Sequence, residues 1–426
     1  MTIAEYFIIS DVQIKGLWNS YNLSFNANKK INIFIGANGS GKTTLINLIH
    51  NALNVDVEAL NEINFRQVKI TLKKGNIQKT IKVDKHDKYN YSYKIGNSKP
   101  TNIDFATIYR KGVPGRMHRQ TLNELIENIK KTIDITSVKI ISVHRKLDKN
   151  SLEEYNDELY HYNRYRSDAE PINFIDFKIK YLLRKFSEYR ESLNAKTDEI
   201  SQEFRRNVLR ALLKSPKENS NYLSYQYNKD DLVDTLKNFG LTNKNDSKLA
   251  TDFVNSYDQF VEKMKANQGI EFNFLMQMPA YNVLNTAIEL SKKSDNAKME
   301  INKPVTQFVN VVNEFFVQSL FEKKISISEG RLKIENNKMQ EVDIDKLSSG
   351  EKQLIILLLE TLLQRNTPQI YIIDEPELSL HIAWQRELIE GITKLNSNIQ
   401  LFIATHSPEV VSKYSNKVIN MEDIIH

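Results

Sequence analysis

The sequence predicts an α/β fold with a helical arm inserted into it, on three observations. The apolar run Ile31-Asn32-Ile33-Phe34-Ile35 leads into Gly36-Ala37-Asn38-Gly39-Ser40-Gly41-Lys42-Thr43, and the helical pattern Thr44-Leu45-Ile46-Asn47-Leu48-Ile49 leads out. Near the other end, Ile370-Tyr371-Ile372-Ile373 and Gln400-Leu401-Phe402-Ile403-Ala404 are apolar strands that each run into polar residues. From about 115 to 300 the pattern is mostly helical. Strands and helices alternating on either side of a helical stretch argue for one sheet-based domain built from both chain ends.

The bulk numbers agree with that plan. A chain of 426 residues is long for one domain, and two or three units are expected. The natural divisions are 1–114, 115–300 and 301–426. With 40% hydrophobic and 26% charged residues, a buried core is within reach. There is no cysteine, which removes disulfides, thiolate metal sites and a cysteine nucleophile, and agrees with a reducing compartment. No run approaches the roughly 20 apolar residues that cross a membrane. Met1-Thr2-Ile3-Ala4-Glu5 lacks the basic-then-apolar pattern of a secretory signal. The expected location is the cytoplasm, with no membrane partner. The net charge of +6 hints at an anionic partner.

Taken in order, residues 5–35 read as short strands: Tyr6–Ile9, Val12–Ile14, Tyr21–Phe25 and Ile31–Ile35. The helix after the glycine-rich loop runs to about Leu53. Strand patterns resume at Gln67–Leu72 and Gln78–Val83, and Lys73-Lys74-Gly75-Asn76 between them predicts a hairpin. Further strands are expected at 91–95, 104–109 and 138–143. After 301, Val305–Leu320 reads as a helix. Lys324–Ser328 and Arg331–Glu335 read as a hairpin turning at Glu329-Gly330. There is no internal repeat and no low-complexity linker.

The longest helical piece is expected at 173–214. There Leu182, Phe186, Tyr189, Leu193, Ile200, Phe204, Val208 and Leu212 form a heptad-like stripe. At roughly 1.5 Å per residue it would span about 60 Å. A second helix near 246–267 carries Leu249, Phe253, Phe260 and Met264 on one face. A helical arm that folds back on itself is the simplest arrangement, and core packing accounts for most of these residues. Within 178–214, ten basic residues stand against five acidic ones. That run reads either as a solvated helix face or as a face that contacts nucleic-acid phosphates.

The chemistry concentrates at the strand ends. Gly36–Thr43 fits G-x-x-x-x-G-K-[ST] at every fixed position, in the strand–loop–helix context the motif requires. Such a loop turns successive N–H groups inward as a nest for phosphate oxygens, and the helix N-terminus adds partial positive charge. Asn38, Gly39, Ser40, Gly41, Lys42, Thr43 and Thr44 are therefore the candidate ATP-binding residues. Lys42 is expected to reach the β- and γ-phosphates, and the Thr43 hydroxyl to ligate Mg²⁺. Asp374-Glu375 closes a fully apolar strand, where an acidic pair is costly unless used. Asp374 is the candidate second Mg²⁺ ligand, and Glu375 the group that orients or deprotonates the attacking water. His406 ends the next strand, at the edge where α/β folds bind ligands, and is the candidate donor to the γ-phosphate or the water. Leu347-Ser348-Ser349-Gly350-Glu351-Lys352-Gln353 opens an apolar helix and makes a second anion site. One chain already holds a complete phosphate loop, so the second site is expected to face the nucleotide of another copy.

These segments resemble, in order and spacing, the Walker A, signature, Walker B and switch-histidine motifs of ABC-type ATPases. The resemblance covers about 1–110 and 301–426. It implies an ABC-ATPase head, a mixed sheet around the phosphate-loop helix. It also implies a head-to-tail dimer that sandwiches two ATP molecules, with Ser348, Ser349 and Gly350 at the partner's nucleotide. Ser379 and His381 would lie in the D-loop and cross the interface. The signature is Ser-Ser-Gly-Glu rather than the transporter form Ser-Gly-Gly-Gln. The Q-loop glutamine and the adenine-stacking residue are not placed by sequence.

Without a membrane segment, and with its arm inserted inside the ATPase fold, the chain is more similar to the SMC, RecF and OLD group than to transporters. Its arm is far too short for the long coiled coils of that group. About twenty residues follow His406, too few for the Toprim nuclease domain of OLD enzymes. The wording around Leu347–Leu354, Ile373–Gln385 and Ala404–Val411 resembles the standalone OLD-like ATPases of bacterial anti-phage systems. These are the ATPases of Septu and its retron-associated relatives, with that of PARIS similar. The resemblance implies a sensor or scaffold ATPase that controls a separate HNH or Toprim effector nuclease. Two other readings stay open: a RecF-like repair ATPase that clamps DNA through its basic arm, and a scaffold that holds ATP with little turnover. No compact D-x-D or H-x-H cluster in 115–300 suggests a nuclease in this chain.

Overall fold

The fold is given by a computed structural model that describes residues 6–104, 115–133, 138–141, 174–213, 228–266, 272–318 and 323–426. The chain starts with β1 (Ile8–Leu17), β2 (Tyr21–Asn26), β3 (Ile31–Ile35), α1 (Lys42–Asn54) and α2 (Val57–Asn61). Next come β4 (Gln67–Lys74), β5 (Ile77–Lys85), β6 (Asn90–Ile95), β7 (Thr101–Asp104), α3 (Gly115–Ile133) and β8 (Val138–Ile141). The helical middle holds α4 (Phe174–Leu212), α5 (Lys229–Asn238), α6 (Lys244–Lys265) and α7 (Phe272–Phe316). The last part is β9 (Lys324–Ser328), β10 (Arg331–Glu335), α8 (Ser349–Leu363), β11 (Gln369–Asp374) and α9 (Ile382–Leu395). It closes with β12 (Ile399–Ala404), α10 (Pro408–Val411), β13 (Val418–Asn420) and α11 (Met421–Ile424).

Two sheets carry the ATPase-like part. One is antiparallel, in the order β2-β1-β4-β5-β6-β7. The other is parallel, in the order β13-β3-β12-β11-β8, so strands from both chain ends lie side by side. α1 packs in the core they share. Its Leu45, Ile46, Leu48, Ile49, Ala52 and Leu53 are all buried, with Phe34, Ile372 and Phe402 of the parallel sheet and Val68 and Ile70 of the antiparallel one in the same cluster. A helix apolar on more than one face belongs between layers. Each such side chain, fully buried, contributes about 1.5–3 kcal/mol.

Several elements differ from the sequence expectation. Of the expected strand Tyr6–Ile9 only Ile8 and Ile9 are in a strand, and they share it, β1, with all of Val12–Ile14; the register is irregular between Ile9 and Asp11 where β1 pairs with β4. The β4–β5 hairpin turns at Gly75-Asn76, since Lys74 pairs with Ile77. Of the expected strand 104–109 only Asp104 is described, as the last residue of β7, a strand that starts earlier than expected; of 138–143 the described part is β8, which ends at Ile141, and the remainder of both lies outside the described residues. The longest helix is α7, with 45 residues, not α4, with 39. Val305–Phe316 is its last part, and helical spacing hid its length because polar residues interrupt the apolar stripe at 292–304.

The chain divides into two compact units: residues 1–186 with 307–426, and residues 187–306. In the second unit Leu232, Ala250, Tyr257, Phe260, Tyr281 and Ile288 form one cluster, and Phe204, Val208 and Ala287 another. Phe204 also packs against the ring of Phe239, 5.0 Å between centroids. Of the α4 stripe, Leu182, Phe186, Tyr189, Leu193, Phe204 and Val208 are buried and Ile200 is half-buried, but Leu212 is exposed, and so is Leu249 of α6. Met264 lies among residues whose side chains are not described.

Candidate ATP site

The parallel register explains why motifs far apart in sequence meet. Ala404 pairs with both Asp374 and Phe34, so β3, β12 and β11 end at the same edge. The phosphate loop leaves β3 there. Gly41, at φ 92°, is the N-cap of α1, a left-handed position that costs most residues free energy and glycine little. No side chain caps α1 and its first turn has no acidic residue, so its leading N–H groups stay open to an anion. Ser40 Oγ is buried without a hydrogen-bond partner. An orphaned donor beside an uncapped helix end fits a phosphate oxygen.

Lys42 is buried within the loop curl and donates to the carbonyls of Gly36 (2.9 Å) and Ala37 (3.2 Å). Burial pushes its ammonium below the usual lysine range, while Glu375, Asp374 and Glu377 pull it back up. Thr43 Oγ1 donates to both oxygens of Asp374, at 3.0 and 3.1 Å. The two expected Mg²⁺ ligands therefore stand together. Both offer oxygen, which suits a hard cation, and Mg²⁺ commonly takes its other ligands from phosphate and water. Among the described residues no group of three His, Asp or Glu side chains could hold a metal ion. Asn38 and Gly39 are exposed, and Thr44 is half-buried.

Glu375 has φ 49°, and its N–H donates to Ala404 O at 2.8 Å. A non-glycine residue held in the left-handed region costs of order 1–3 kcal/mol and clusters at working sites. His406 is exposed on the turn after β12, and the N–H of its neighbour Thr405 donates to Phe34 O at 3.1 Å. Asp374, Glu375 and His406 thus share an edge with Lys42 and Thr43.

The signature residues lie elsewhere. Ser348 and Ser349 are exposed at the start of α8 and Gly350 is buried. Among the described residues no hydrogen bond joins 348–350 to the phosphate loop. Gly350 instead faces the turn after β11, where a Cβ would collide with the carbonyl oxygen of Ser379. Ser379, at φ 65°, is exposed, and His381 caps α9, its Nδ1 accepting the N–H of Ala383.

Sequence reading missed three residues here. Trp18 projects from the β1–β2 turn over Gly41, close enough that a Cβ on Gly41 would collide with its ring. Tyr21 meets that ring edge-on, at 6.2 Å between centroids. The sequence signal for Trp18 was only that it is one of two tryptophans in the chain. Glu377 and Gln385 tie the loops together. Glu377 Oε1 accepts the N–H of His406 at 2.7 Å, and Gln385 Oε1 accepts Ser407 Oγ at 2.6 Å. Next to the β1–β2 turn a cavity of about 640 Å³ is lined by Lys15, Arg66, Lys82, Lys85 and His86, with Asp84 the single acid.

The expected basic face is only partly free. Lys178 pairs with Glu360 (3.0 Å) and Lys180 with Asp345 (2.8 Å), while Arg184 and Lys185 lie over the ring of Tyr181. Arg190 donates to Asn302 and Arg210 to Asn207. Lys196, Arg205 and Arg206 are exposed. Lys214 lies outside the described residues.

Fold and site together define a P-loop ATPase domain. The chain belongs to the family described as "AAA domain, putative AbiEii toxin, Type IV TA system", which it matches over residues 31–412. It is similar to the Retron Ec83 probable ATPase of Escherichia coli, 27% identical over 29% of this chain and 25% of that protein. It is also similar to the Retron Vc95 probable ATPase of Vibrio cholerae, 28% identical over 40% of this chain and 38% of that protein. The chain thus spans less than half the length of these curated relatives. Among solved structures it is similar to the Smc head domain with an extended coiled coil from Pyrococcus furiosus. The TM-score is 0.43 at 15% identity, over 97% of this chain and 93% of that one. No helix among the described residues is long and apolar enough to cross a membrane.

Proposed function

We propose that two copies of this chain bind two ATP molecules with Mg²⁺ head to tail and hydrolyse them. In this reading the ATPase is the sensor of a bacterial anti-phage defence complex, in the cytoplasm, and controls a separate effector nuclease. The observation that carries the ATP reading is the Thr43–Asp374 contact beneath an uncapped helix end. Mg²⁺ held by these residues would neutralise phosphate charge. Lys42 would donate to the β- and γ-phosphates, Glu375 would orient and deprotonate the water, and His406 would hold it or the γ-phosphate. Ser348 and Ser349 are exposed, and among the described residues no hydrogen bond ties them to the chain's own phosphate loop, which supports their use on the partner copy's nucleotide.

The retron relatives support the defence role, and the resemblance of the motifs to the ATPases of Septu and PARIS points the same way. The test is a tagged pull-down from the native host in ATP and Mg²⁺. A stoichiometric HNH or Toprim nuclease supports the reading, and replication or recombination proteins in its place overturn it. A nucleic-acid role is a second reading, favoured by the exposed Lys196, Arg205 and Arg206. Salt-dependent duplex binding, lost on charge reversal at these positions, is its mark.

A further inference from the structure

The N-terminus of α8 differs from that of α1 in a way that phosphate chemistry must accommodate. α8 starts with a capping box: Ser348 Oγ accepts the N–H of Glu351 at 3.3 Å, and Glu351 Oε2 accepts the N–H of Ser348 at 2.8 Å. The Ser348 hydroxyl also donates to that oxygen, at 2.9 Å. A full negative charge therefore sits in the first turn, its side chain only 8% exposed. A carboxylate there opposes any phosphate brought to the same helix end. Lys323 answers it. Its ammonium, itself 16% exposed, donates to Oε1 at 2.7 Å and to Oε2 at 2.9 Å. Lys323 stands just ahead of β9, far from the helix it serves.

We infer that Lys323 is a positioning residue of the ATPase reaction: by neutralising Glu351 it lets an acidic helix end receive a phosphate and frees the Ser348 hydroxyl to turn toward it. This rests on the reading of α8 as the partner's phosphate site. When the hydroxyl turns, Glu351 keeps the Ser348 N–H and both bonds from Lys323, so no buried carboxylate oxygen is stranded. Without Lys323 the carboxylate holds the hydroxyl back and repels the phosphate.

The test is steady-state ATP turnover by the full chain and its variants, with thermal melting recorded for each. Lys323→Met is expected to lower kcat about tenfold or more, with KM for ATP moving less than about threefold because the phosphate loop is untouched. Lys323→Arg is expected to stay within about threefold of wild type, since the charge is kept. The double variant Lys323→Met with Glu351→Gln is expected to recover to within about threefold, because the amide keeps the cap without the charge. An unchanged kcat in Lys323→Met overturns the inference, and so does a double variant as slow as the single one. If Lys323→Met does not fold, a loss beyond about tenfold in Lys323→Arg overturns it. Ser348→Arg separates the inference from the reading beneath it. Turnover retained there removes the trans reading and the inference with it. Turnover lost there, with no rescue in the double variant, leaves the trans reading and overturns Lys323 alone.

Discussion

The carboxylate of Glu377 accepts the main-chain N–H of His406 at 2.7 Å, so the turn after β11 holds the turn after β12 in place. Gln385 repeats the link, taking Ser407 Oγ at 2.6 Å and donating to Leu380 O at 2.9 Å. A bond to a charged acceptor contributes about 1.5–3 kcal/mol, or roughly ten- to a hundredfold. Glu377→Ala is expected to lower kcat by about that factor while ATP affinity, measured by nucleotide titration, changes less than about threefold.

Gly350 and Ser379 make a second such joint, between the signature and the turn that leads to α9. A Cβ at Gly350 would strike the Ser379 carbonyl. Gly350→Ala is expected to cost about 1–3 kcal/mol of stability, read by denaturant unfolding, because the clash is with backbone and not with a side chain that can swing away.

Trp18 supplies a large aromatic surface at the phosphate loop. If adenine stacks on it, Trp18→Ala is expected to weaken ATP about tenfold and leave inorganic triphosphate unchanged, since stacking on a base is worth about 1–3 kcal/mol. Equal losses for both ligands would assign the ring to packing over Gly41.

Thr43 and Asp374 are expected to act as one unit toward the metal. Thr43→Ala and Asp374→Asn should each raise the Mg²⁺ concentration needed for half-maximal turnover, and the double variant should lose little more than the worse single one, as coupled residues do. Fully additive losses would place the two on different ligands.

The parts legible in the sequence were those whose chemistry is local. Gly36–Thr43 and Asp374-Glu375 carry their own context, a strand on one side and a turn or helix on the other. β3, β9 and β10 fell on their expected spans for the same reason: the apolar run of β3 and the alternating patterns of β9 and β10 end at turn residues. What stayed hidden depends on partners distant in sequence. Lys178 and Lys180 read as free positive charge because Glu360 and Asp345 lie more than a hundred and sixty residues away. Trp18, Glu377 and Lys323 have meaning only once the loops they touch are assembled. The stripe in α4 overran its end at Leu212 because spacing alone does not show where the opposing surface stops.

The central claim, that two chains close on two ATP molecules, is tested most directly by light scattering of Glu375→Gln with ATP and Mg²⁺. Slowed hydrolysis should trap a dimer with one nucleotide per chain, and Ser348→Arg in the same background should return it to monomer with the nucleotide still bound. A Glu375→Gln protein that binds ATP fully and remains a monomer, or a dimer indifferent to Ser348→Arg, would contradict the account.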